Sequence, residues 1–206
     1  MSTATVRARR FFLREEEPEW LVWAVVILLL AVGFAVRTAV INRSAEFSAG
    51  NLTIRYPADW APLGAADDVL LDVGESFDAG LFPPRLTVRR TPAAEVSSSA
   101  RTLGDVALMW ADRRAKDLLG YKVLSMEPMA LRGQDAVRVD YAYVAEPVMA
   151  TPNSIPVVAH GADVLLRQGD DLLVVTLLSD AGAFDGVQGT WDRILSSLDL
   201  GQEVAP

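Results

Sequence analysis

The sequence predicts an α+β protein in two parts: a single transmembrane helix near the amino terminus, then one domain built on a mainly antiparallel sheet. Three observations predict it. Seventeen consecutive apolar residues run from Trp20 to Val36. Stretches with apolar residues at every second position recur after residue 50, and two further stretches carry them at helical spacing. A chain of 206 residues has room for one spanning segment and one domain of ordinary size.

The apolar run makes about 25 Å of helix at ~1.5 Å per residue, short of the ~30 Å hydrocarbon core of a bilayer. Continuing through Arg37 and Thr38 to Ile41 closes the gap, with Arg37 snorkelling toward the headgroups. Trp20 and Trp23 suit the opposite interface. Residues 20–41 are therefore assigned as the transmembrane helix. Arg7, Arg9, Arg10 and Arg14 precede it, whereas only Arg37 and Arg43 follow closely, so residues 1–19 are expected in the cytoplasm. The rest of this single-pass cell-membrane protein is then extracytoplasmic. A cleaved signal peptide is the competing reading, but the leader contains Glu15, Glu16, Glu17 and Glu19, and the best small-x-small site, Gly33 to Ala35, lies inside the apolar run. The leader segment RARRFFLR has the composition of an interfacial helix. Ala31, Ala35 and Ala39 recur every fourth residue, a small-residue stripe that lets a partner helix approach closely in lipid; ordinary helix filler is the alternative.

Residues 42–49 read as a tether, and residues 50–200 as the domain, with 201–206 a short tail. In Asn51 to Tyr56, Leu52, Ile54 and Tyr56 alternate with polar residues, the pattern of a half-buried strand ended by Pro57. The following P-A-D-W turns the chain and buries Trp60. Val69 to Val73 and Arg85 to Arg89 are the next strands, separated by a Gly- and Pro-containing loop. A helix begins at Thr102, whose hydroxyl caps the first turn while Asp105 sits at the third helical position, and Gly120 ends it. Four strands follow: Tyr121 to Leu131, Ala136 to Val144, Val157 to Arg167 and Leu172 to Ser179. R-G-Q-D and Q-G-D-D make hairpins of the outer pairs. Leu172 to Leu178 is almost continuously apolar and reads as a central strand covered on both faces. Phe184, Val187, Trp191, Ile194, Leu195 and Leu198 place a final helix over about Ala183 to Leu198.

Charge and composition exclude several functions. The first 46 residues hold six Arg against five Glu, and the remainder thirteen Lys and Arg against twenty-two Asp and Glu. An acidic domain of this kind is a poor direct partner for nucleic acid or anionic lipid. With no cysteine there is no disulfide, thiolate nucleophile or Cys-based metal site. His160, within V-V-A-H-G, is the one histidine; as a metal ligand it would need a carboxylate such as Asp163, and one His with one carboxylate is a poor site. Ser97 to Ser99 and Ser179 lack a G-x-S-x-G elbow. The pairs Asp67/Asp68 and Asp170/Asp171 read as solvated loops, and G-V-Q-G at 186–189 has no P-loop lysine. No catalytic, cofactor-binding or metal-binding residue is assigned.

The order of elements, with NLTIRYPADW at residues 51–60 and FDGVQGTWDRILSSLDL at residues 184–200, resembles the PsbP-like fold family. That family includes the extrinsic subunit of photosystem II and bacterial exported domains, and the likeness covers about Phe47 to Leu200. It implies an α/β/α sandwich whose members dock onto larger assemblies, commonly membrane-bound, with no chemistry of their own. No ion-binding residues of the photosystem subunit can be matched here.

Two segments are candidate docking elements. The loop EPVMATPNSIPVVAH, residues 146–160, holds Val148, Met149, Ile155 and Val157 in a stretch with three prolines, and G-L-F-P-P at 80–84 presents Leu81 and Phe82. A long hairpin excursion is the plainer reading of the first. The leading expectation is a non-catalytic, membrane-anchored accessory subunit of a larger bacterial membrane complex. From the resemblance, that complex is one of electron transfer or photosynthesis. Ala31, Ala35, Ala39, Leu81, Phe82, Val148, Met149 and Ile155 are its expected partner-binding residues. The expected partners are other subunits and, through residues 20–41, the bilayer. The alternative is a membrane-tethered receptor or carrier for a small apolar or peptide ligand.

Overall fold

The computed structural model describes residues 19–41, 43–64, 68–75, 82–96, 100–145 and 155–201. The chain divides into two units, Met1–Asn42 and Arg43–Pro206. In the first, helix α1 spans Glu19–Ile41. Its segment Trp20–Thr38 has a mean hydropathy of 2.4 and none of it is buried inside the protein. By length and composition it can cross a membrane.

The second unit is an α+β domain. Strands β1 (Ser44–Ala49), β2 (Leu52–Pro57) and β3 (Trp60–Pro62) open it, followed by β4 (Val69–Glu75) and β5 (Arg85–Pro92). The short helix α2 (Ala93–Val96) precedes the longer α3 (Leu103–Asp117). Then come β6 (Lys122–Leu131), β7 (Gln134–Ala145), β8 (Val157–Gln168), β9 (Asp171–Asp180), helix α4 (Phe184–Ser197) and β10 (Asp199–Leu200). Seven strands form the main sheet in the order β3-β4-β5-β9-β8-β7-β6, and the neighbouring pairs are antiparallel. A small sheet, β1-β2-β10, lies beside α4.

Alternation along the central strands sends side chains to two cores. Leu173, Val175 and Leu177 of β9 join Val164 and Leu166 of β8, packing with Phe184, Trp191, Ile194 and Leu195 of α4 and with Leu52 and Ile54 of β2. Leu172 and Val174 face the other way with Leu165, Val137 and Val139, beneath Val106, Ala107 and Trp110 of α3. Fully burying side chains of this size is worth roughly 1.5–3 kcal/mol each. The three layers form an α/β/α sandwich, and β9 is covered on both faces as its unbroken apolar run predicts.

Local signals work as chemistry requires. Asp105 N donates to Thr102 Oγ1 at 3.1 Å and Thr102 N to Asp105 Oδ2 at 3.0 Å, so the capping box that starts α3 is complete. The β6–β7 turn has positive φ at both Arg132 and Gly133, as a two-residue I′ hairpin demands, and the β8–β9 turn has it at Gly169. The expected tether is the main difference. Ser44–Ala49 pairs along its whole length with β2, so the folded domain begins at Ser44 and not at residue 50. Its sequence, SAEFSA, offers one large apolar residue, Phe47, too little to announce a strand without its partner.

Both edges of the main sheet are blunted. At one edge β3 is three residues long. At the other, β6 is interrupted by a register shift between Val123 and Ser125 and contains Pro128, which has no N–H to offer.

Gly161 of β8 faces Tyr141 of β7 across the ladder, and a Cβ at Gly161 would lie 2.3–2.6 Å from the tyrosine ring. The ring is fully buried and cannot swing clear. Gly161→Ala is expected to destabilise the protein by about 1–3 kcal/mol through overpacking, read as a lowered urea midpoint.

Candidate functional site

The centre of the α3 face is polar. Asp163, on β8 with no exposure to solvent, accepts hydrogen bonds from Trp110 Nε1 at 2.7 Å, Thr176 Oγ1 at 2.7 Å and the Tyr141 hydroxyl at 3.1 Å. Arg114 Nε lies 3.4 Å from the same carboxylate, and Arg114 Nη2 donates to the Tyr141 hydroxyl at 2.5 Å. The guanidinium also lies near the rings of Trp110, 5.8 Å from its centroid, and Tyr141, 5.3 Å. Burial pushes the Tyr141 phenol well above its ordinary range, reinforced by the charge of Asp163. The same causes push Tyr121, which packs on Tyr141, up to about 12. Both phenols therefore stay neutral at physiological pH, and Tyr141 acts as a donor to Asp163.

Beside this cluster α3 stops covering the sheet. A helix is about 10–12 Å across with its side chains, whereas seven strands at ~4.8 Å spacing are far wider. On the uncovered half, β4 and β5 present Asp72, Arg85, Thr87 and Arg89 on this face and keep Leu71, Val73, Leu86 and Val88 for the opposite core. The result is a trough of about 270 Å³ lined by these polar residues, Thr176, Trp110 and Arg114. Arg85 grips the buried Asp72 through two bonds, at 2.7 and 2.5 Å. Arg89 pairs at 3.1 Å with Asp68, which is half exposed.

A second depression, a groove of about 550 Å³, runs between the start of α3 and edge strand β6. Leu103, Leu108, Met126, Pro128, Met129 and Val137 supply its apolar lining.

The expected docking residues fall into three groups. Ala31 and Ala35 are exposed on α1, while of Ala39 only the helical backbone is described. Leu81, Val148 and Met149 lie outside the described residues. Phe82 and Ile155 are brought to the same end of the domain: Asp180 N donates to the Phe82 carbonyl, and Ala181 N to the Val158 carbonyl a few residues past Ile155. The two side chains differ in exposure there. Phe82 packs edge-on to Tyr143 and is partly buried against the α3-side core. Ile155 is 79% exposed.

Ile155 has apolar company that sequence reading missed. Val158 is 54% exposed, and its cross-strand neighbour Val144 donates its N–H to the carbonyl of Leu119, itself 74% exposed. The chain also enters the domain at this end, where the Arg43 carbonyl accepts from Ala58 N just before β3. The signal for Leu119 was available as an apolar residue in a turn, L-L-G-Y, where solvent gives no reason for it.

His160 and Asp163 lie on opposite faces of β8 and form no joint site. The His160 ring stacks on Phe184 with centroids 3.6 Å apart, and its nearest carboxylate partner is Asp140, at 3.9 Å. Asp140 is itself held by Arg138 through two 2.8 Å bonds. Burial lowers the His160 pKa against the opposing pull of Asp140. Ser179 is fully buried; Ser97 to Ser99 lie outside the described residues. Asp68 belongs to the Arg89 pair, Asp67 is outside the described residues, and Asp170 and Asp171 form the β8–β9 turn.

No protein-family model and no curated protein sequence matches the chain. Solved structures do. The domain is similar to the cyanobacterial PsbP of Synechocystis, with a TM-score of 0.54 and 15% identity over 76% of this chain and 92% of that one. It is similar also to the Saccharomyces cerevisiae Ran-binding protein Mog1p, with a TM-score of 0.53 and 12% identity over 77% of this chain and 95% of that one. At such identities the likeness is one of fold, and the fold is PsbP-like.

Asp163→Ala leaves Arg114 buried without its carboxylate and three donors without an acceptor, and is expected to cost about 3–5 kcal/mol of stability, measured by urea unfolding. His160 supplies a pH test. Its folded pKa lies below the ordinary value of about 6.5, so the folded state binds protons less readily than the unfolded chain. Stability contributed by neutral His160 is fully present above that ordinary value and is lost as pH falls toward the lower folded one. His160→Gln is expected to flatten the fall in urea midpoint between about pH 7 and pH 5.

Proposed function

We propose that this protein is a non-catalytic accessory subunit, anchored in the cell membrane by α1 with its amino terminus in the cytoplasm. Its extracytoplasmic PsbP-like domain docks on a larger membrane complex. The observation that carries the reading is the exposed apolar surface of Leu119, Ile155 and Val158 at the end where the chain enters the domain. Exposed apolar residues gathered at one place mark interaction sites more often than scattered ones do.

In this reading Ala31 and Ala35 of α1 meet a helix of the complex within the lipid. An electron-transfer or photosynthetic complex is the kind that the PsbP resemblance favours. The positive-inside asymmetry supports the orientation.

One observation favours a second reading, a tethered binding module: the apolar groove between α3 and β6 has the size of a peptide or small-ligand site. Extraction in a mild detergent, followed by mass spectrometry of co-migrating chains, separates the two. A subunit brings stoichiometric membrane partners, and a receptor migrates alone. Ile155→Asp combined with Val158→Asp is expected to reduce co-migration at least tenfold, as two apolar contacts of about 1.5 kcal/mol or more are lost. Ala31→Leu combined with Ala35→Leu should act in the same direction. Unchanged partners in both variants would refute the docking.

A further inference from the structure

We propose that the groove between the start of α3 and edge strand β6 binds a cationic amphipathic peptide segment of another protein. Its apolar side chains enter the groove and a lysine or arginine meets Asp135 at the rim. This deepens the second reading above and rests on it, while the docking surface at Leu119, Ile155 and Val158 stands apart from it.

The apolar wall is open to a ligand. Leu108 is 59% exposed, Pro128 is exposed, and Leu103, Met126 and Met129 are partly exposed. At about 550 Å³ the groove falls within the ~300–1,000 Å³ range of ligand sites. Two of the lining side chains are methionines, unbranched and polarizable, which re-pack around differing apolar partners. Pro128 has no N–H to offer and the register of β6 slips between Val123 and Ser125, so this edge is a poor template for an added strand. The groove is built to take side chains, as an amphipathic segment presents them.

Charge decides the sign of the ligand. The charged lining residues are both carboxylates, Asp105 and Asp135, with no Lys or Arg among the lining. Asp105 is answered in part at the start of α3, where its Oδ2 accepts from the N–H groups of Arg101 and Thr102. Asp135 is not: among the described residues its carboxylate makes no hydrogen bond or ion pair. The two arginines nearest to it in sequence are committed on the opposite face of the sheet. Arg132 donates to the Ser196 carbonyl of α4, and Arg138 holds Asp140 through two 2.8 Å bonds. Exposed Arg167, one step past the end of the β7–β8 ladder, is not paired with it either. An anionic ligand would be repelled here, and a neutral one would gain nothing from Asp135. An apolar segment flanked by a basic residue matches both parts of the lining.

The test uses the full chain in phosphatidylcholine nanodiscs, with empty nanodiscs as the reference, and fluorescent synthetic peptides followed by anisotropy. The probe is a short Leu/Lys peptide with its leucines at helical spacing, compared with a Leu/Glu and a Gln/Lys counterpart. The Leu/Lys peptide is expected to bind saturably above the empty-disc level. Asp135→Lys should weaken it roughly fivefold or more and let the Leu/Glu peptide bind instead, an exchange of preference that a loss of stability does not produce. Leu108→Gln, at an exposed position and with a helix-forming replacement, should weaken it roughly threefold or more. Unchanged affinity in Leu108→Gln would remove the groove as the site, and the second reading with it. Weakening by Leu108→Gln with no effect of Asp135→Lys would keep the groove and overturn the cationic ligand. The proposal is overturned also by equal binding of the Leu/Glu peptide to the unsubstituted chain, or by equal binding of the Gln/Lys peptide, which would be plain charge attraction to an acidic domain. No binding above the empty discs, with the circular dichroism of the folded protein retained, overturns it as well.

Discussion

A carboxylate shut away from water must find its whole solvation inside the protein, and Asp163 finds it in side chains from three elements besides its own strand. Trp110 and Arg114 come from α3, Tyr141 from β7 and Thr176 from β9. Each donor is oriented by the one it neighbours, with the Tyr141 hydroxyl donating to Asp163 and accepting from Arg114. A buried charge met this way gives little net stability relative to an apolar substitute, but removing one partner is severe. The cluster therefore fixes where α3 sits on the sheet more than how tightly it is held. An apolar seam alone would tolerate sliding by a turn; the Trp110 hydrogen bond and the Arg114 ion pair from α3 to one fixed carboxylate do not.

Placement of α3 decides what the rest of this face can do. α3 and the one-turn α2 over seven strands leave width uncovered, and the sequence fills that width with Arg, Thr and Asp instead of apolar side chains. On the opposite face α4 shares the cover with the small sheet that begins at β1. The two faces thus divide the work. One is closed by apolar packing, and the other carries a polar recess whose walls are held by the buried cluster beneath.

Much of the fold was legible because its signals are local. The capping box at Thr102, the turns at Arg132 to Gly133 and at Gly169, the alternation of β7 and the unbroken apolar run of β9 each depend on a few neighbouring residues. The strand at Ser44–Ala49 was not legible, since its identity comes from pairing with β2 and one apolar residue in six says little. The Asp163 cluster was still less so: Trp110 and Asp163 are 53 positions apart, and nothing near Asp163 in the sequence distinguishes a hub from a surface acid. Phe82 and Ile155 were equally attractive as exposed apolar residues in loops. Phe82 is partly buried against Tyr143 and Ile155 is exposed, a difference that only the packing makes.

The blunted margins of the main sheet acquire a meaning if α1 anchors the chain as proposed. Chains confined to a bilayer diffuse in two dimensions with like ends at like heights, a setting in which neighbouring copies collide edge to edge far more often than in bulk solution. An open, regular margin would invite those copies to zip into ribbons. A three-residue strand at one side, and a kinked strand with Pro128 at the other, deny the backbone rungs such a ribbon needs. In the proposed anchored state, crowding in the plane of the membrane would then find no regular edge to extend.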